Sequence, residues 1–313
     1  MMSQSLYLWV GFNVFVLAML ALDLGVFHRT AHKVGFKEAL GWTSVWIALA
    51  LLFNVGIYFM AGSQPALEFL TGYLIEKSLS VDNIFVILMI FTFFQVPERY
   101  QHKVLFWGIL GALAMRAAFI MAGLALITRF HWVIFVFGGF LVLSGIKMAL
   151  PKKEEVHLDR NIFLRLLKTI IPFTNSNDCS TFFVRENGKR LATPLFAALL
   201  MVEVTDLIFA VDSIPAILAI SSDPFIVYTS NAFAILGLRS LYFAVSGLVE
   251  MFHYLKFGLS GILVFVGVKM LLMDVYKIPT PVALGAVLGI LFLSILASII
   301  WPKRNSEHKP AHH

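Results

Sequence analysis

Runs of roughly 20 apolar residues recur along this chain, each long enough to cross a hydrocarbon core of about 30 Å. A soluble fold of 313 residues could not hide that much apolar surface, and only 13% of the residues are charged, against about 25% in a soluble domain. The chain therefore reads as an all-α membrane protein whose partner is the lipid bilayer. About nine transmembrane helices are expected, near 6–27, 37–61, 66–94, 104–127, 131–150, 193–220, 225–252, 256–273 and 281–301. The first run, Leu6 to Phe27, has no basic leader and no small-residue cleavage site, which predicts a retained helix. Short connections carry breakers, as in Ser63-Gln64-Pro65, Gln95-Val96-Pro97 and Ser222-Asp223-Pro224. The long polar connection 151–192 is expected to be a cytoplasmic insert with a short amphipathic helix near 159–170. The remainder of 1–302 forms a single transmembrane domain, followed by a tail at 303–313.

Positive charge sets the orientation. Seventeen of the 24 Lys and Arg fall in the tail and in the connections after spans one, three, five and seven. Arg129 and Lys277 fall on the other side, and the remaining five lie within spans or at their ends. The positive-inside rule then puts the N-terminus in the periplasm and the C-terminus in the cytoplasm. The net charge of +6 is accordingly a topology signal, and no nucleic-acid partner is implied. The one cysteine, Cys179, excludes an intrachain disulfide and a thiolate metal cluster.

The chain also repeats itself. Glu76-Lys-Ser-Leu-Ser-Val-Asp82-Asn83 in the third span matches Asp206-Leu-Ile-Phe-Ala-Val-Asp212-Ser213 in the sixth. Met115-Arg116 corresponds to Leu238-Arg239, and Gly139 to Met148 matches Gly261 to Met270 through Gly-x5-Gly-x-Lys-Met. Two three-helix repeats follow, at 66–150 and 193–273, flanked by the helices at 6–27, 37–61 and 281–301. Three spans is an odd number, so consecutive copies enter the membrane from opposite faces. That is the inverted repeat of many secondary transporters, which bind substrate near the midplane between the halves.

Glu76, Asp82, Glu203, Asp206 and Asp212 all fall inside these apolar spans. A charge at a helix centre costs roughly 2.5–3.5 kcal/mol even on a lenient insertion scale, so the acids must face protein or water, or be paired. Lys77, Arg116 and Arg239 lie at comparable depth and are the expected charge partners. If they neutralise three acids, about two negative charges remain, enough for one divalent cation; a purely structural salt-bridge network is the alternative. Asn83, Ser213 and Asn231 add neutral oxygens, and an all-oxygen set suits Mg, Ca or Mn better than zinc or copper. Asp206 and Asp212 are six residues apart, about 120° around a continuous helix, so one ion uses both only if the helix unwinds between them or the other repeat completes the shell. Pro215 cannot donate to the carbonyl of Val211, and a kink is expected beside Asp212. It either frees carbonyl ligands or merely bends a packed helix.

The stretches Thr71 to Asn83, Val202 to Ala216 and Asn231 to Arg239, with the loop run Phe182 to Gly188 and Ala192-Thr193-Pro194, resemble the TerC family of bacterial membrane proteins, and within it the Alx branch. The resemblance covers about residues 6–300. It implies a metal-ion transport role in the bacterial inner membrane, with Mn2+ efflux the favoured activity, the ion being cargo and no prosthetic group being required. It carries over Glu76, Asp82, Glu203, Asp206 and Asp212 as metal-handling residues, with Asn83 and Ser213 behind them. Exchange for protons fits desolvated carboxylates. The alternative is a membrane assembly or interaction factor in metal or tellurium stress, whose buried charges only specify packing and whose 151–192 loop docks a cytoplasmic partner. An enzyme is disfavoured, since no nucleophile or His-Glu zinc motif accompanies the acids.

Overall fold

A backbone crossing hydrocarbon must satisfy its own N–H and C=O groups within one segment, and the apolar runs accordingly fold as helices. A computed structural model describes residues 6–25, 35–130, 132–150, 174, 181–186, 189–245 and 254–300. In it α1 spans Leu6–Gly25, α2 Phe36–Ala61, α3 Ser63–Phe93, α4 Glu98–Arg129 and α5 Val133–Ala149. A hairpin of β1 (Phe183–Glu186) and β2 (Lys189–Ala192) follows, then α6 Pro194–Leu218, α7 Pro224–Leu236, α8 Leu238–Val245, α9 Leu255–Leu271 and α10 Thr280–Ile300. The amphipathic helix expected near 159–170 and the tail at 303–313 lie outside the described residues.

Three local features differ from expectation. Ser63-Gln64-Pro65 is the first turn of α3 rather than a connection, and the turn is Gly62 alone, at φ 93°, a backbone region open to glycine and strained for other residues. The seventh span is two helices, α7 and α8, joined at Gly237. The end of the 151–192 insert is an antiparallel hairpin with Glu186 opposite Lys189. The two residues between them, Asn187-Gly188, are the strongest short hairpin signal a sequence can carry. The hairpin leads directly into α6, whose first turn is set by Pro194 and by the Thr193 hydroxyl accepting from the Phe196 N–H.

Helices α2, α4, α6 and α10 are long and apolar enough to cross a membrane. Helix α3 is 31 residues long but carries Glu68, Glu76, Lys77 and Asp82, and it is sheltered by neighbours. Every residue from Phe225 to Leu236 of α7 is buried, which puts that helix at the centre. Helices α2 and α10, at the periphery, expose Leu52, Phe59, Phe292 and Ile299, as lipid-facing surfaces do.

Glycine contacts fix the relative directions of the helices. Gly72 of α3 meets Ser230 of α7 and Lys77 reaches Ala234, so these two helices run the same way. Helices α4 and α6 also run together, since Gly108 meets Val202 and Gly123 meets Leu218. Helices α3 and α6 are antiparallel, with Gly72 against Ile217 and Asn83 against Asp206. Helices α5 and α9 cross antiparallel at very close range. A Cβ on Gly138 would lie 3.0 Å from the Gly267 carbonyl oxygen, and one on Gly145 would lie 2.8 Å from that of Ser260. Small residues permit such backbone approach in membranes, and the Ser260 hydroxyl donates to the Gly145 carbonyl at 2.7 Å.

Candidate functional site

A polar layer lies between two apolar clusters. On α3, Phe69 and Tyr73 belong to one cluster and Ile84 and Ile87 to the other; on α6, Val202 and Ala210 are divided the same way. Glu76 and Asn83 on α3, and Asp206 and Ser213 on α6, are i,i+7 pairs and so share one helix face each. The antiparallel packing turns those faces toward each other. Arg116, entering from α4, fills the space between them at 2% exposure, with Glu76 at 1% and Asp206 at 9%.

Arg116 directs its whole fork into this layer. Its Nη2 and Nε donate to the two oxygens of Asp206 at 2.8 and 3.3 Å. Its Nη1 donates to Glu76 Oε1, to Asn231 Oδ1 at 2.9 Å and to Ser213 Oγ at 3.4 Å. The planar guanidinium suits this arrangement, since it presents parallel donors to a carboxylate. One side chain thus ties α3, α4, α6 and α7 together. Asn83 Nδ2 adds a 3.4 Å bond to Asp206 Oδ1.

Several buried polar atoms of the same layer have no hydrogen-bond partner among the described residues: Glu76 Oε2, Glu203 Oε2, Asn83 Oδ1 and Asn231 Nδ2. Glu203 lies one turn before Asp206 and presses against α4 where Gly111 leaves room; a Cβ there would overlap its carboxylate. Beside Asp206 is a cavity of about 20 Å³, lined by Asn83, Thr205 and Asp206 together with Ile87, Ala112 and Phe209. It has room for one water-sized body.

The predicted residues do not all meet. Asp212 faces α5, where Ser144 Oγ donates to its Oδ1 at 2.9 Å and Lys147 contributes an attractive charge. Of Asp82 only the place on α3 is described. Among the described residues, no three His, Cys, Asp or Glu are grouped to hold a metal together. Among the described residues Lys77 pairs with no acid: its Nζ donates to the Ala234 carbonyl at 3.3 Å, serving the C-terminal end of α7, where a cation also complements the helix dipole. Arg239 is buried on α8. Pro215 does not break its helix, since α6 continues through it to Leu218, so Asp206 and Asp212 stay on different faces. The interruption is instead at Gly237, beside Lys77 and Trp46. Sequence reasoning did not single out Ser144 or Gly111. Ser144 sits inside the repeated Gly-x5-Gly motif; Gly111 carries no pattern that would mark it.

A buried layer of acids on a multi-helix apolar scaffold defines a polytopic integral membrane protein. The sequence profile of the Integral membrane protein TerC family matches residues 61–306, and the chain belongs to that family. It is 56% identical over 303 residues to the "Uncharacterized membrane protein STKORF319" of Myxococcus xanthus, covering 97% of this chain and 94% of that one. It is 49% identical over 298 residues to the "Putative membrane-bound redox modulator Alx" of Escherichia coli K12, covering 92% and 93%. The Salmonella typhi protein of the same name is 49% identical over 311 residues, covering 96% of each. No solved structure matches the chain.

Proposed function

We propose that this protein moves a divalent metal ion, Mn2+ before others, outward across the bacterial inner membrane. The ion would pass through an alternating site between two inverted repeats, α3–α5 and α6–α9. The observation that carries this reading is the buried layer around Arg116, where Glu76 Oε2, Glu203 Oε2 and Asn83 Oδ1 have no partner among the described residues and Asn83 and Asp206 line a cavity of about 20 Å³. A buried acceptor left without a partner costs about 1–3 kcal/mol, more when charged. Packing alone gives no reason to keep several together, whereas a hard cation takes just such oxygens. The inverted repeat is supported by the exchange of partners. The first helix of each repeat runs parallel with the second helix of the other, and the third helices cross antiparallel through equivalent positions, Gly138 with Gly267 and Gly145 with Ser260. Apolar clusters on both sides of the layer fit a gated transporter better than an open channel. The charge count favours a periplasmic N-terminus and cytoplasmic C-terminus. Asp82 on α3 and Asp212 on α6 would take part in exchange with protons.

The test is Mn2+ flux in proteoliposomes, compared with Ca2+, Mg2+ and Zn2+, with and without a proton gradient. Wild-type protein should move Mn2+ preferentially, and the double variant Asp206→Asn, Asp212→Asn should be inserted and inactive. Wild-type flux in the double variant overturns the reading. It would favour an assembly factor, in which deletion of 151–180, rather than loss of the acids, removes the cellular phenotype.

A further inference from the structure

We infer that Arg116 is a resident counter-cation which the transported ion must displace, so that its guanidinium sets how tightly the site holds metal. This rests on the transport reading above and specifies how the site is regulated. The guanidinium occupies the position between Glu76 and Asp206 that a bound cation would take, spending three of its donor contacts on their carboxylates. While it is there, the acids cannot form a shell, in keeping with the lack of any three-acid group among the described residues.

A clamp evolved only for packing would leave the layer satisfied. Here Glu76 Oε2, Glu203 Oε2 and Asn83 Oδ1 are buried without a partner among the described residues, so the acids offer more acceptor capacity than Arg116 uses. The same guanidinium also touches two neutral acceptors, Asn231 Oδ1 on α7 and Ser213 Oγ on α6. When a divalent ion takes the carboxylates, Arg116 can keep these two bonds, swing off the acids and remain solvated by the protein. Because it links four helices while it holds the acids, its departure also loosens α3 and α6 from α4. Ion entry and unlocking of the repeats then become one event. Its return expels the ion on the far side.

A competitor of this kind weakens apparent affinity by the fraction of time it leaves the site open. The experiment measures equilibrium binding of radioactive Mn2+ to the full chain in nanodiscs, alongside flux in proteoliposomes, for wild type, Arg116→Gln and Arg116→Lys. Arg116→Gln should bind Mn2+ about tenfold more tightly, as expected if the acids are open roughly a tenth of the time, while flux at saturating Mn2+ falls at least as much because the ion is not expelled. Arg116→Lys keeps the charge but not the fork and should fall between the two in affinity. Its value decides the matter if Arg116→Gln does not insert. Folded variants that bind Mn2+ no more tightly than wild type overturn the inference and leave Arg116 a packing clamp. Wild-type protein that neither binds nor moves Mn2+ overturns instead the transport reading.

Discussion

Asp206 and Asp212 sit on the same helix six residues apart, yet they live in different chemistry. Asp206 is buried, doubly bonded to Arg116 and bonded to Asn83. Asp212 is half-buried and, among the described residues, accepts a hydrogen bond from the Ser144 hydroxyl on α5, with Lys147 nearby as an attractive charge. An unbroken helix sets residues six apart about 120° from each other around its axis, so the two carboxylates must leave on different faces. Two acids in one motif are therefore two stations, one locked by a cation and one lightly held.

Replacing each acid should show the asymmetry. Asp206→Asn should bring Mn2+ flux to background and lower stability by about 3–5 kcal/mol, the usual result of stripping one partner from a buried ion pair; flux and detergent melting read both. Equal loss of stability in Asp212→Asn would erase the distinction. Gly111→Leu should displace the Glu203 carboxylate, which already occupies the space a Cβ would need, and overpacking of this kind costs about 1–3 kcal/mol. Mn2+ affinity should drop while expression holds, and unchanged binding would remove Glu203 from the site. Asp212→Asn should reduce flux about tenfold, equivalent to about 1.4 kcal/mol in the barrier, with stability changed by less than about 0.5 kcal/mol, as at a half-buried position. Ser144→Ala removes one hydrogen bond worth about 1 kcal/mol and should slow flux only a few-fold. A larger effect than that of Asp212→Asn would mean that Ser144 acts on more than this carboxylate.

Much of this was legible in the sequence. The apolar runs called for helices, and the i,i+7 spacing of Glu76 with Asn83 and of Asp206 with Ser213 puts each pair on one helix face. Partner choice was not legible. Lys77 and Arg116 looked equivalent by depth, but Lys77 reaches a backbone carbonyl near the end of α7 while Arg116 reaches the carboxylates of α3 and α6. Pro215 left open whether α6 unwinds or merely bends, and α6 runs through it to Leu218; the break at Gly237 carried no such mark, and a Cβ there would meet Lys77 and Trp46.

By itself the sequence determined the class, a polytopic helical membrane protein with buried acids, because hydrocarbon accepts only segments that satisfy their own backbone and tolerates charge only when it is sheltered. The tertiary structure decided which acid meets which cation. That depends on how α3, α4, α6 and α7 face one another, and helix rotation is set by close packing at residues such as Gly72, Gly108 and Gly111, whose significance lies in what stands opposite them.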